Sequence, residues 1–342
     1  MLVTSIPPPH LFDGRLESLL PETLRSFDKN GFSTISVNWP AEIDLLEPSF
    51  PGIAFVAADR SRAIFPERYG PSIGSVLGAC AGHDACAIVN ADIYMLESDI
   101  VDVVNRNPGT FFVAHRLDVD RIRGDIVGVY RRGTDAVFFN PERFAALAED
   151  PDLGRFQLGA PFWDIVIPIV ASFHGVVSFI DPPFILHPVH RARWSHADYD
   201  TLREAAIKTV IGHAQLHADR SDQARLFLQL IDRHVGRKRD VLNRRSIRNA
   251  KMIFNLWIAK VERANAQAIR VKIDGELNHP SLQGLSGELV ETPTDSLGAV
   301  DGSSASMLSL WRLNRLAKSS LRNWKQRRRE KAVTDRLAGI EF

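Results

Sequence analysis

Apolar and polar residues alternate along the first 200 residues in short blocks that predict strands and helices in turn. Short runs of apolar and β-branched residues predict strands at residues 2–6, 33–37, 53–58, 87–93, 111–115, 136–139 and 176–180. Apolar positions three and four residues apart predict helices at residues 16–27, 73–81, 141–149 and 163–173. Strands that alternate with helices are typical of an α/β sandwich. We therefore predict a single Rossmann-like, mixed-sheet α/β domain over residues 1–200.

The rest of the chain has a different pattern. From Tyr199 to about Lys272 the sequence is mostly helical, and residues 201–273 form a predicted helical basic extension. Residues 274–306 contain no Lys or Arg and are rich in Gly, Ser, Pro and Thr, a composition typical of a flexible linker. In residues 307–342, apolar positions line one face of a predicted helix whose other face is basic.

Composition limits the class of protein. The chain of 342 residues is 45% hydrophobic and 24% charged, which is ordinary for a globular protein with a sizeable core. The sequence has no run of 18 apolar residues, and Met1-Leu2-Val3-Thr4-Ser5 is not a basic start before an apolar core, so we expect neither a membrane span nor a secretory signal. Cys80 and Cys86 lack a zinc-type partner pair, and we expect buried thiols in a reducing compartment. These features predict a cytoplasmic protein.

The net charge of +1 hides a strong asymmetry. Residues 1–231 carry 20 basic and 29 acidic side chains, whereas residues 232–342 carry 22 and 12. An acidic half that binds a metal and a basic tail that binds an anionic surface would account for the split, as would a plain solvated tail. The helix of residues 307–342 favours an anionic membrane, which makes peripheral membrane association an expectation. Nucleic acid and the catalytic domain itself are the less favoured partners of this helix.

The candidate site begins where the strand at residues 87–93 ends. Its apolar run finishes in Asn90 and Asp92, which are separated by one small residue. Within a strand, residues two apart share a face, so both side chains would reach the same ligand. Hard oxygen ligands at this spacing suit Mg²⁺ or Mn²⁺ shared with a substrate diphosphate. The structural alternative is that Asp92 caps the following helix.

The order of these pieces resembles a nucleotide-sugar-dependent glycosyltransferase of the A-type fold over residues 1–200. In that family a strand ending in Asp-X-Asp presents the metal that holds the sugar diphosphate, and Asn90-Ala91-Asp92 matches it with Asn in first place. A Gly-rich acceptor loop then leads to an acid at a helix start, and Gly159-Ala160-Pro161-Phe162-Trp163-Asp164 is similar. Many members have a further histidine ligand after the last core strand, a position that His187 or His190 fits.

The resemblance implies a role for each of these residues. Asp92 would bind the metal and, with Asn90, the donor, while His187 or His190 would add a metal ligand. Asp164 would deprotonate the acceptor hydroxyl in an inverting reaction. Many relatives carry a Glu-Asp pair at this place, so either Asp164 acts alone or the reaction retains configuration.

Further candidates concern the nucleotide-sugar donor. Asp59 directly follows the third strand, where an acid in the resembling fold often accepts a hydrogen bond from the nucleotide base. A solvated turn is the alternative for Asp59. Arg116 and Arg191 are expected to face the diphosphate, and Arg193 and Trp194 follow in the same loop as candidate phosphate or sugar contacts.

The acceptor candidates are Asp135, Gly159 and Trp163, although the Trp163 ring suits the core as well as a sugar face. The predicted function is metal-dependent, inverting transfer of a sugar from a nucleotide sugar to a hydroxyl of a carbohydrate or lipid-linked acceptor. The alternatives are a nucleotide-binding or anion-binding α/β protein without transferase activity, and a sugar-phosphate nucleotidyltransferase. Against the latter, the segment Ser5-Ile6-Pro7-Pro8-Pro9 lacks a Gly-rich, basic phosphate loop.

Overall fold

A ten-stranded mixed sheet forms the centre of the computed structural model. The structure describes residues 1–8, 14–68, 70–120, 122, 126–130, 134–189, 195–234, 257 and 269–270. The strands are β1 (Leu2–Thr4), β2 (Thr34–Asn38), β3 (Ala54–Ala57), β4 (Cys86–Val89), β5 (Tyr94–Met95), β6 (Thr110–Val119), β7 (Ile126–Tyr130), β8 (Ala136–Phe139), β9 (Val176–Pro188) and β10 (Ile269–Arg270). The α-helices described are α1 (Gly14–Lys29), α2 (Pro40–Leu46), α3 (Ile73–Ala79), α4 (Ile100–Arg106), α5 (Ala145–Ala148), α6 (Trp163–His174), α7 (His196–His217) and α8 (Asp222–His234).

The strand order brings several strand ends to one edge of the sheet. The main path runs β10-β9-β6-β8-β4-β1-β2-β3, while β5 pairs with β9 and β7 pairs with β6. Strands β3, β2, β1 and β4 are parallel, β8 is antiparallel to both β4 and β6, and β6 is parallel to β9. The carboxyl ends of β4, β6 and β9 therefore meet the amino end of β8. Ligands of open α/β sheets bind at such an edge.

Helices cover both faces of the sheet. On one face, α3, α6, α7 and α8 pack against a core that includes Ile88 and Val137. On the other face, α1 and α4 pack against a core that includes Ala87 and Phe138. Neighbouring residues of one strand thus face different apolar layers, which explains why the central strands are apolar throughout.

The predicted α/β fold class is confirmed, but some elements differ from their predicted bounds. Strand β6 continues to Val119 and β9 to Pro188, well beyond the predicted ends. Of the predicted helix at residues 141–149, only Ala145–Ala148 is helical, after a run of turns. Strands β5 and β7 and helix α2 were not predicted.

The C-terminal predictions fall largely outside the described residues. Most of α7 and all of α8 lie in residues 201–273, which were predicted to be a mostly helical extension, and both helices contribute to the core of the sheet domain. Within the same range, Ile269–Arg270 forms strand β10 instead of helix. The predicted linker at residues 274–306 and the predicted basic helix at residues 307–342 lie outside the described residues. Among the helices that are described, none combines the length and apolar character needed to cross a bilayer.

Candidate functional site

A break in the alternation of β6 turns two charged side chains toward the ligand-binding edge. The pairing of β6 with β9 shifts between Ala114 and Arg116. Ala114 before the shift and Leu117 after it both belong to the core beneath α1 and α4. Because alternation is interrupted once, Arg116 and Asp118 point to the opposite face, the one covered by α6.

His187 lies between two carboxylates at this edge. It is the direct cross-strand partner of Asp118, whose Oδ1 lies 3.5 Å from its Nδ1. On the other side of the ring, Nε2 lies 3.5 Å from Oδ2 of Asp92. Burial and the Arg116 guanidinium lower the pKa of His187, but Asp118 and Asp92 raise it more, so that the pKa is about 9. In the protein alone, His187 is therefore an imidazolium between two carboxylates at neutral pH.

Asn90 and Asp92 lie in the turn after β4, because the strand ends at Val89. The expectation that both side chains share one strand face was therefore wrong. The Asn90 amide donates to Asp135 Oδ1 over 2.8 Å, and its buried Oδ1 has no hydrogen-bond partner among the described residues. The next helix starts only at Ile100, so Asp92 does not cap it.

Arg116 joins Asp118 to Asp135. Its Nε donates to Asp118 Oδ1 over 2.9 Å, and its guanidinium also pairs with Asp135, directly before β8. All three side chains are largely buried, with Arg116 the most exposed at 17%. The predicted contact of Arg116 with a diphosphate would thus come from a guanidinium already paired with two carboxylates.

Asp164 occupies the first turn of α6. The N–H of Thr134 donates to Asp164 Oδ2 over 3.2 Å, and the Thr134 hydroxyl donates to the Asp164 carbonyl over 2.7 Å. The preceding loop contains two residues with left-handed backbone, Gly159 at φ 78° and Phe162 at φ 81°. A bulky residue such as Phe162 rarely adopts this conformation, so the loop has a constrained path into the helix.

The carboxyl of Asp164 has a raised pKa and is therefore a weaker acid than an exposed Asp. Burial raises its pKa most, the Asp135 carboxylate adds to the effect, and Arg116 and the Thr134 N–H oppose it, so that the pKa reaches about 7. A carboxyl that titrates near neutral pH is suited to accept a proton from a substrate hydroxyl.

The remaining candidates are not brought into this group by any contact of the described residues. Asp59 is exposed at the end of β3 and accepts hydrogen bonds from the N–H and hydroxyl of Ser61. Trp163 is only 1% exposed and packs in the core, which is the alternative that the sequence left open. Gly159 supplies the left-handed backbone described above. Four candidates lie outside the described residues: His190, Arg191, Arg193 and Trp194.

Sequence reasoning missed Asp118 and Thr134. Asp118 lies within the apolar surroundings of β6, two residues after Arg116, and a charged pair inside a strand was a signal that could have been followed. Thr134 gives no such signal, because its role comes from the meeting of two segments distant in sequence.

The donor atoms at this edge fit a divalent cation. Two ligands on one octahedral Mg²⁺ lie roughly 3 Å apart, close to the 3.5 Å between Asp92 Oδ2 and His187 Nε2. Asn90 contributes a buried, unsatisfied amide oxygen. Asp118 lies behind the His187 ring, where a carboxylate orients a metal-binding imidazole. Oxygen ligands suit both Mg²⁺ and Mn²⁺, and the added imidazole favours Mn²⁺ of the two.

No protein-family model and no curated protein matches this chain. Among solved structures, a protein assigned as a glucose-1-phosphate thymidylyltransferase from Bacillus anthracis is 11% identical, with a TM-score of 0.35 over 61% of this chain and 94% of its own. HddC from Yersinia pseudotuberculosis is 12% identical, with a TM-score of 0.32 over 60% and 97%. A mannose-1-phosphate geranyltransferase from Thermus thermophilus is 14% identical, with a TM-score of 0.28 over 45% and 61%. None of these three is named as a glycosyltransferase, and likenesses of this size carry no functional argument.

Proposed function

We propose that this protein is a metal-dependent glycosyltransferase that moves a sugar from a nucleotide-sugar donor to a hydroxyl acceptor. The observation that carries the proposal is the approach of Asp92 and His187 to 3.5 Å at the carboxyl ends of β4 and β9, with Asp118 behind the imidazole. The resemblance of the sequence to the A-type glycosyltransferases supports the same assignment.

On the donor side, Asp92 and His187 would hold Mn²⁺ or Mg²⁺. A cation bound there would neutralise the negative charge that develops on the diphosphate as the sugar departs. Asp118 keeps the His187 ring in the orientation in which Nε2 points to Asp92. His187 has to lose its proton before its nitrogen can act as a ligand.

On the acceptor side, Asp164 would accept the proton of the attacking hydroxyl. Its pKa of about 7 makes the ionised form available near neutral pH while keeping the carboxylate more basic than an exposed Asp. Thr134 fixes one carboxylate oxygen, which leaves the other to face the acceptor. Asp135, held by Asn90 and Arg116, would bind acceptor hydroxyls.

Sugar-phosphate nucleotidyl transfer is the second candidate. A cation between Asp92 and His187 would serve a nucleoside triphosphate as well as a nucleotide sugar. Two of the compared structures are named for enzymes of sugar 1-phosphates, but likenesses of that size do not decide between the two reactions. The segment Ser5–Pro9 after β1 is the feature against it, since it has neither glycine nor a basic residue to hold phosphates.

The two reactions release different products. The full-length protein is titrated calorimetrically with UDP-, GDP-, ADP- and dTDP-sugars, with and without Mn²⁺, and then assayed for slow release of nucleoside diphosphate. Glycosyl transfer predicts Mn²⁺-dependent donor binding and nucleoside diphosphate release. Pyrophosphate release from a nucleoside triphosphate and a sugar 1-phosphate would instead support nucleotidyl transfer.

A matched pair of variants assigns the result to the site. Asp92→Ala should lose Mn²⁺-dependent donor binding, whereas Asp84→Ala, at an exposed acid before the other end of β4, should keep it. Donor binding without turnover of any kind would support a nucleotide-binding protein. A chain that binds no nucleotide at all would contradict both enzymatic candidates.

A further inference from the structure

A second group of candidate ligands lies at the end of α6 remote from Asp164. This histidine cluster consists of His174, the last residue of α6, and of His213 and His217, one turn apart on α7. One ligand atom of each lies within 4.8 Å of those of the other two. At 1.5 Å per residue, α6 separates His174 from Asp164 by about 15 Å, so the cluster is separate from the nucleotide site.

His213 is the anchored member of the cluster. It is 5% exposed, and its Nε2 lies 3.2 Å from Oδ2 of Asp150, whose other oxygen accepts N–H groups of the turn that follows. Its Nδ1 is buried and has no hydrogen-bond partner among the described residues. A buried nitrogen without a partner is costly, which points to a ligand that the protein alone lacks.

The other two members are closer to solvent. The His174 ring lies 4.3 Å from the His217 ring between centroids, and the His213 and His217 rings are nearly parallel at 6.2 Å. His174 is exposed and His217 is half-buried, so both side chains have room to rotate.

We propose that the histidine cluster is a zinc site in which His174, His213 and His217 are the ligands and Asp150 orients His213. Zn–N distances of about 2.0–2.1 Å place tetrahedral ligand nitrogens roughly 3.4 Å apart, so modest rotation of the two outer rings closes the cluster. Three imidazoles without a hard oxygen majority favour Zn²⁺ over Mg²⁺ or Mn²⁺. The carboxylate behind His213 is the usual companion of a metal-binding histidine.

Zinc at this place would have a mechanical effect on the fold. It would tie the C-terminal end of α6 to α7, and through His213 to the segment that carries Asp150. Helix α6 carries Asp164 in its first turn, so fixing the far end of the helix would also restrain the candidate base. Because zinc binds the folded chain and not the unfolded one, it would raise the melting temperature.

The test uses untagged full-length protein, stripped by a chelator and titrated with ZnCl₂. We expect one zinc per chain by mass spectrometry after desalting, and a higher Tm. His174→Ala and His217→Ala should each lower the zinc affinity more than Asp150→Asn, for which a loss of about 10–100-fold is expected. His196→Ala, at an exposed histidine of α7 outside the cluster, is the control and should keep the zinc.

The same experiment separates this site from the nucleotide site. Asp92→Ala should retain one zinc per chain, because the cluster does not use Asp92. Equal loss of zinc in Asp92→Ala and His217→Ala would assign the ion to the nucleotide site and overturn the proposal. Failure of the wild-type chain to retain stoichiometric zinc would overturn it too, as would equal affinity in His174→Ala, His217→Ala and the control.

Discussion

Replacing Asp164 by Asn should stabilise the protein while removing most of its activity. The pKa of this carboxyl rises from 3.8 to about 7 in the folded chain. One pKa unit corresponds to about 1.36 kcal/mol, so about three units cost the folded state at most roughly 4 kcal/mol at pH 8. Water entry and small movements away from Asp135 reduce that cost, so we expect a gain of about 1–4 kcal/mol in the free energy of unfolding.

The pH dependence identifies the cause of this gain. Below about pH 4 the carboxyl is protonated in both folded and unfolded chains, and the variant gains nothing. Between about pH 4 and pH 7 the unfolded carboxyl ionises while the folded one keeps its proton, so the wild-type chain loses stability as the pH rises. The advantage of Asp164→Asn should therefore grow through this window and stay constant above it. Urea unfolding followed by circular dichroism at pH 4.5, 6 and 8 measures it.

Activity and a matched control complete the test. At pH 8, Asp164→Asn should lower kcat by about 10²–10⁴-fold with little change in donor affinity, since only proton acceptance is lost. Asp102→Asn changes an exposed acid in the first turn of α4 and should not stabilise the chain. If Asp164→Asn destabilises the protein at all three pH values, Asp164 is a helix-terminal charge that stabilises α6, and the reasoning fails.

Three further predictions concern the metal side and the tail. Asp92→Ala should abolish Mn²⁺-dependent donor binding in calorimetry, whereas Asn90→Ala should weaken this binding less. Normal turnover in Asp92→Ala would show that the donor does not bind at this edge of the sheet. Asp118→Asn should lower Mn²⁺ affinity by about 10–100-fold through loss of the carboxylate behind His187, and unchanged affinity would show that Asp118 is structural. Removal of residues 307–342 should release the protein from anionic vesicles in co-sedimentation and spare donor hydrolysis, whereas lack of vesicle binding by the full chain would refute the membrane interpretation.

The fold class could be predicted from local sequence patterns, but the full lengths of β6 and β9 could not. Alternating apolar blocks predict the strands whose residues are buried on both faces, such as β4 and β8. Strand β9 runs through Pro182 and Pro183. Proline has no N–H to donate to a neighbouring strand, so two prolines in a row predict the end of a strand. They lie at the register shift between β6 and β9, where ladder hydrogen bonds are interrupted anyway. Only the pairing of two strands distant in sequence makes such prolines acceptable.

The candidate site was partly accessible from sequence. Asp92, His187, Asp135 and Asp164 were all named, and the structure brings them to one edge of the sheet, although their chemical roles stay predictions. Asp118 was missed because strict alternation would assign it to an apolar face. Which residues of a strand share a face depends on register, and register is set by the partner strands.

The break in alternation along β6 decides which changes in length this strand can accept. Ala114 and Leu117 lie three positions apart yet share the apolar layer beneath α1 and α4, whereas a regular strand places residues two apart on one face. A chain without His115 would bring these two residues to that regular spacing, and Arg116 and Asp118 would still face the site. Regular alternation through the full-length strand would instead turn both charges into the apolar layer, at a cost of several kcal/mol for each unpaired charge. Relatives of this protein that lack the residue at position 115 should therefore have a regular β6 and the same two charged side chains at the site.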